Sequence, residues 1–326
     1  MPHTTPQDFY WFDANNYLTI AQHGYANPKF AAFFPLFPYL MRLLGQLIGL
    51  IPAGLVIPNV AFAAALVLFR AEAASHYDPR RADLATWALA VWPWSNFFTY
   101  PYTESLFLLL VVAAFRLMAY RQWVLAGLLG ALAAATRAPG LLLVFAFGAE
   151  AVEAGRLWGR RRVSGPAIAA LVTPIGLIAF AALLWRVRGD PFAFWHAEET
   201  WVIHRNLLFP VGQVLLLVEQ QNPFKTESLG LPVVIMFAAG AWWVWQNLPR
   251  RYGVFTVVTV VFFAYQGWHL GQYHSEPRYL LADFPCFIAF GAFLARHDRF
   301  QVPWFVLSSA LLTVESALYG AHHFIG

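Results

Sequence analysis

Ala53-Gly-Leu-Val-Ile-Pro-Asn-Val-Ala-Phe-Ala-Ala-Ala-Leu-Val-Leu-Phe-Arg70 is an apolar run closed by a single cation. A helix needs about 20 mostly apolar residues to span the hydrocarbon core of a bilayer, somewhat fewer when its ends snorkel. This run nearly meets that length, and it is one of many. Comparable runs lie at about 84–99, 103–119, 122–137, 139–155, 165–186, 230–248, 253–270, 279–295 and 302–320. The pattern predicts an all-α polytopic membrane protein with about ten crossings.

Composition agrees. The chain is 60% hydrophobic and 12% charged, whereas a soluble domain carries roughly 25% charged residues. Aromatics make up 17%, which suits interfacial belts and stacking platforms for a ligand. The formal charge of +4 is no nucleic-acid signature, because the arginines fall mostly in short loops between apolar runs. Cys286 is the one cysteine, so neither a disulfide framework nor a thiolate metal cluster forms, and it reads as a packing residue. The first 30 residues lack the basic start and apolar core of a cleavable signal.

Cytoplasmic loops collect Lys and Arg. If the loop holding Arg70, Arg80 and Arg81 is cytoplasmic, strict alternation puts Arg121, Arg156/Arg160/Arg161/Arg162, Arg250/Arg251 and Arg296/Arg299 on the same side. Arg186 and Arg188, beside Asp190, are the exceptions. The extracytoplasmic face then gathers Asp8, Asp13, Glu104, Arg137, Trp195, His196, Trp201, His204, His269, His274, Glu276 and Arg278, among others. Mixed acids, imidazoles, arginines and indoles on one face form a polar ligand site, or else ordinary solvated loops. A full crossing at 33–51 would invert every later loop, and the run is broken by Pro35, Pro38, Arg42, Gly45 and Gly49. It is therefore expected to be interfacial or re-entrant, as is 207–222. Residues 1–326 read as one membrane domain, with 1–52 as a first extracytoplasmic loop and 53–326 as the helices.

Within that first loop stands Phe9-Tyr-Trp-Phe-Asp13-Ala-Asn-Asn-Tyr17. A carboxylate among aromatics near lipid must earn its burial chemically or structurally. As a general base it would take the proton of an acceptor hydroxyl during glycosyl transfer; as a structural residue it would cap a helix beginning near Ala14. Tyr102-Thr-Glu104 opens a helix, where Glu104 complements the dipole. Arg137, between two apolar helices, calls for a phosphate or an internal partner such as Glu104. His274-Ser-Glu276-Pro-Arg278 offers a second arginine, an acid and an imidazole. Trp195, His196 and Trp201 lie in a segment that mixes indole faces with acids, as sugar sites do. His196, Glu199 and His204 match no zinc spacing, and no metal is assigned. There is no Gly-rich phosphate loop and no soluble domain to hold a nucleotide sugar, which favours a lipid-carried donor.

The motif blocks resemble the PIG-V family of mannosyltransferases. They are Phe12-Asp13-Ala-Asn-Asn-Tyr17, Ile20-Ala-Gln-His-Gly-Tyr25, Ala32-Phe-Phe-Pro-Leu-Phe-Pro38, Tyr102-Thr-Glu-Ser-Leu-Phe107, Thr136-Arg-Ala-Pro-Gly140 and Pro277-Arg-Tyr-Leu-Leu281. Phe12 replaces the family's usual Trp, and Asn16 stands where an aromatic is common. The resemblance implies a GT-C-like fold, a polyprenyl-phosphate sugar donor, and a catalytic acid in the first extracytoplasmic loop, the role that falls to Asp13. It also implies a membrane helix before this motif, so a truncated or misassigned start is expected. The expected activity is inverting transfer of a hexose, mannose first, to a lipid-linked or glycan acceptor at the extracytoplasmic face of a prokaryotic plasma membrane. Arg137 and Arg278 would hold the donor phosphate. Tyr17, Tyr102, Glu104, Trp195, His196, Trp201, His274 and Glu276 would line the substrates. No cofactor is firmly implied, and a divalent ion stays open. The competing readings are the same chemistry with another sugar or a protein acceptor, and a lipid-glycan transporter. Few charges fall within the spans, which counts against transport.

Overall fold

The computed structural model describes residues 9–158, 163–199, 230–270 and 275–323, and the regular structure among them is all helical. In chain order the α-helices are α1 (Asp13–His23), α2 (Leu36–Ile48), α3 (Leu50–Ala74), α4 (Pro79–Ala90), α5 (Glu104–Ala119), α6 (Trp123–Ala134), α7 (Leu143–Trp158), α8 (Ser164–Val172), α9 (Ile175–Arg188) and α10 (Ala193–Glu199). Then follow α11 (Gly230–Asn247), α12 (Arg250–Leu270), a turn of helix at Glu276–Tyr279, α13 (Phe284–Arg296) and α14 (Gln301–Gly320).

Four stretches are long and apolar enough to cross a membrane: Leu50–Ala74, Ala138–Arg156, Ser164–Arg188 and Asp298–Gly320. A fifth, Glu276–Ala282 with Phe284–Arg296, is bent by 89°. The expected ten are not reached among the described residues, and the reasons are local. The run 84–99 stops being α-helical at Ala90, because Pro93 disfavours helix in the residue before it and has no N–H to offer; a 3-10 turn, Ser95–Phe98, follows. α6 has only 12 residues, roughly 18 Å of rise. α2, with 13 residues, is also too short for a core of about 30 Å, as expected for 33–51. The stretch 207–222 lies outside the described residues.

Small residues let the helices pack closely. A Cβ on Gly176 of α9 would run into the carbonyl of Ala131 on α6, so only glycine allows that approach. α4 is started by Asp78, whose carboxylate accepts the Arg81 N–H at 3.1 Å, with Pro79 in the first turn.

The motif blocks sit at one end of this bundle. α1 packs on α2, with Tyr17 edge-on to Phe33 and Phe37. The Leu36 N–H donates to the Ala135 carbonyl at 3.0 Å, which ties the Ala32–Pro38 block to the α6–α7 junction. Tyr10 donates to the Ile51 carbonyl at 2.8 Å at the start of α3.

Candidate functional site

Four chain segments meet at Asp13: the start of α1, the start of α5, the α6–α7 junction and the turn at 276–279. Phe12 has φ 52°, a region that costs a non-glycine residue about 1–3 kcal/mol. That backbone turn swings the chain into α1 with Asp13 as its first residue. The turn is held from α14, where the Tyr319 hydroxyl lies 3.1 Å from the Phe9 carbonyl and 3.4 Å from that of Trp11. Trp11 also lies against His322, ring centroids 3.7 Å apart.

The capping reading of Asp13 can now be judged. Phe12 occupies the N-cap position of α1, with no side-chain cap bond. The Asp13 carboxylate instead meets Arg278, whose Nη2 donates to Oδ2 at 3.0 Å. Asp13 keeps 23% of its side chain exposed, whereas Arg278 keeps 4%.

Arg278 is engaged on a second edge, its Nε donating to Glu104 Oε1 at 2.6 Å. Arg137 Nη1 approaches the same oxygen at 2.7 Å, with 13% of its side chain exposed. The array thus runs Asp13, Arg278, Glu104, Arg137, two acids against two cations. Glu104 is 1% exposed and its Oε2 has no partner. Aromatic rings wall the array. The Arg278 guanidinium lies 4.8 Å from the rings of both Phe97 and Tyr102 and 5.3 Å from Tyr279; Arg137 lies 4.9 Å from Tyr279. Burial pushes the Tyr17 hydroxyl up from its ordinary value, and the Glu104 and Asp13 carboxylates add to that. Tyr102 is raised in the same way, by burial first and then by Asp13. Both therefore stay neutral hydroxyls beside the array.

Of the residues singled out in the sequence, Asp13, Tyr17, Tyr102, Glu104, Arg137 and Arg278 are brought together. Arg137 has found the internal partner considered for it, Glu104. Glu276 lies two residues before Arg278, 2% exposed, with Oε2 unpartnered. Trp195 and His196 stand apart from the array on α10, which packs against the Pro28–Ala32 turn and sets Phe194 against Phe34 just beyond it. Trp195 is 56% exposed, and His196 pairs with Asp190 at 2.8 Å. That imidazole, with the Phe192 N–H, holds the Asp190 carboxyl below its ordinary range. Trp201 and His274 lie outside the described residues. No group of His, Cys, Asp and Glu suited to a metal occurs among the described residues.

Tyr279 was not singled out as a ligand residue, yet it interacts electrostatically with Arg278, Asp13, Arg137 and Glu276 together. Phe97 likewise went unread. The only signal for Tyr279 was its place directly after Arg278.

Residues 6–152 match the family model for Mannosyltransferase (PIG-V). That stretch holds every motif block except Pro277–Leu281, and the resemblance read from the motifs is borne out there. GPI alpha-1,6-mannosyltransferase 2 of Rattus norvegicus is 35% identical over 146 residues, 41% of this chain and 30% of that protein. The Mus musculus protein of the same name is 35% identical over 144 residues, 40% of this chain and 29% of its own length. The matched region thus spans less than a third of either relative. Among solved structures, archaeal oligosaccharyltransferase AglB from Archaeoglobus fulgidus, in complex with an inhibitory peptide and a dolichol-phosphate, aligns with a TM-score of 0.49. The identity there is 14%, over 96% of this chain and 51% of AglB.

Proposed function

We propose that this chain is an integral membrane glycosyltransferase that moves a hexose, mannose first, from a polyprenyl-phosphate donor to a lipid-linked or glycan acceptor. On this proposal the reaction runs at the extracytoplasmic face of a prokaryotic plasma membrane. The observation that carries this reading is the partly open Asp13 carboxylate, paired with Arg278, which shares Glu104 with Arg137; Asp13, Glu104 and Arg137 all lie within the stretch that matches a mannosyltransferase family model.

In this reaction Asp13 removes the proton of the acceptor hydroxyl as its oxygen attacks the anomeric carbon. The bond from that carbon to the phosphate oxygen breaks, and the polyprenyl phosphate leaves with the electron pair, needing no acid to protonate it. Configuration inverts. Arg137, the more open of the two arginines and held by one carboxylate, takes the charge that grows on the phosphate. The array is neutral as it stands, which suits a donor with a single phosphate charge better than a diphosphate. Tyr17 and Tyr102 offer neutral hydroxyls beside Asp13.

Purified protein given a radiolabelled polyprenyl-phosphate mannose and a lipid acceptor tests this. Asp13→Asn is nearly isosteric and is expected to lower turnover by about 10²–10⁴-fold while the protein still folds and binds donor. Arg137→Gln is expected to raise donor KM more than acceptor KM. Near-normal turnover by Asp13→Asn would remove the central claim.

A further inference from the structure

We infer that Arg278 is a positioning residue that orients the base, and that Glu104 braces it, so that Arg278 does not meet the donor phosphate. This inference rests on the reading of Asp13 as the base and goes beyond it.

A guanidinium grips a phosphate by presenting a free edge with two N–H groups. Arg278 spends one edge on Glu104 and another position on Asp13. Its flat faces are closed by Phe97, Tyr102 and Tyr279. With 4% of the side chain exposed, no approach is left for a bulky lipid phosphate. Arg137 differs on each count: among the described residues it meets one carboxylate and one ring, and it keeps 13% exposure.

What Arg278 does accomplish is geometric. Asp13 stands at the first position of a helix whose N-cap residue is Phe12, and its carboxylate is held by Arg278 across the fold. The bond to Oδ2 sets how the carboxylate faces an incoming hydroxyl. Arg278 itself is kept from swinging by Glu104, which sits in the first turn of α5 and is almost wholly buried. Lysine could not replace this, since one ammonium on a flexible stem cannot hold two carboxylates in a fixed plane.

The test is a kcat-against-KM split combined with a double-mutant cycle. Arg278→Gln is expected to lower kcat about 10–100-fold, the scale of misplacing a reacting group by about 1 Å, with donor KM within twofold of wild type. Arg278→Lys, which keeps a donor and a charge, is expected to recover part of kcat and serves if the Gln variant does not fold. In an Asp13→Asn background, either change should cost little more, because the group being oriented is gone. A raised donor KM with kcat preserved would overturn the inference and return Arg278 to the phosphate. Additive losses in the cycle would overturn it as well, leaving Arg278 structural. Failure of the underlying reading looks different: Asp13→Asn alone would then remain active, whatever Arg278 does.

Discussion

Glu104 carries more of the array than any other side chain, since two arginines converge on one of its oxygens. A buried ion pair gains little over an apolar replacement, but removing one partner leaves a charge stranded, at about 3–5 kcal/mol. Glu104→Ala would strand Arg137, 13% exposed, and leave Arg278, 4% exposed, with Asp13 as its remaining carboxylate. It is expected to cost at least about 3 kcal/mol, measured by denaturant unfolding in detergent. A loss under about 1 kcal/mol would mean that Arg137 finds water. At this scale the sequence pointed to residues that the structure places near one another, but not to how they pair. Asp13 was conspicuous because an acid among Tyr10, Trp11 and Phe12 has to be accounted for. Its capping role could be dismissed only once Phe12 was found to turn the backbone and Arg278 to take the carboxylate. That partner is 265 residues away, and no spacing rule reaches so far. Tyr279 was passed over because an aromatic beside an arginine looks like ordinary packing until its ring is seen under Arg137.

At the scale of elements, α14 works as a clasp on the first motif. Tyr319 reaches two carbonyls of the strained turn before Asp13 and stacks on Tyr100 at 4.2 Å. Tyr319→Phe keeps the stack and removes the hydroxyl. The expected loss of stability is about 0.5–1.5 kcal/mol, the net worth of one hydrogen bond. Turnover should fall more than that suggests, several-fold, because the turn that aims Asp13 loosens; donor binding should hold. Equal, small losses in both would show that packing alone holds the turn. α14 itself was legible, since 302–320 is a mostly apolar run whose one charged residue is Glu315, and it appears as Gln301–Gly320. The failures at this scale share one cause. Hydropathy counts residues and is blind to direction, so it read 84–99 through the stop at Pro93, and 279–295 through an 89° bend after Ala282. At 122–137 the apolar run outlasts the helix by three residues, which carry the chain to Arg137 instead.

Across the whole molecule, charge is sorted by depth. α3 has 25 residues, a rise of roughly 37 Å. Its first turn receives the Tyr10 hydroxyl from the Asp13 block, and its last turn carries Glu72. Glu72 accepts from Arg116 at 3.1 Å and from Tyr252, and Arg251 beside it pairs with Glu150 at 2.8 Å. Further out, Arg80 pairs with Asp298 at 2.9 Å. Of the arginines that alternation assigned to the cytoplasm, Arg251 lies at the Glu72 end of α3, beside Tyr252, and Arg80 follows α3 in the chain. Two polar layers separated by a helix of membrane-spanning length fit a bilayer between them, and in the proposed orientation the arginine-rich layer around Arg80 faces the cytoplasm. Cysteine accessibility makes this testable, since the chain has one native cysteine, buried Cys286, which Cys286→Ala removes. In that background, Arg80→Cys and His23→Cys each place a thiol at an exposed position. A membrane-impermeant maleimide applied to intact cells is expected to label the His23 position and spare the Arg80 position until the membrane is opened. Labelling of both from outside would break the two-layer arrangement. The reverse pattern would keep the layers but turn the site toward the cytoplasm, where an extracytoplasmic transferase could not work.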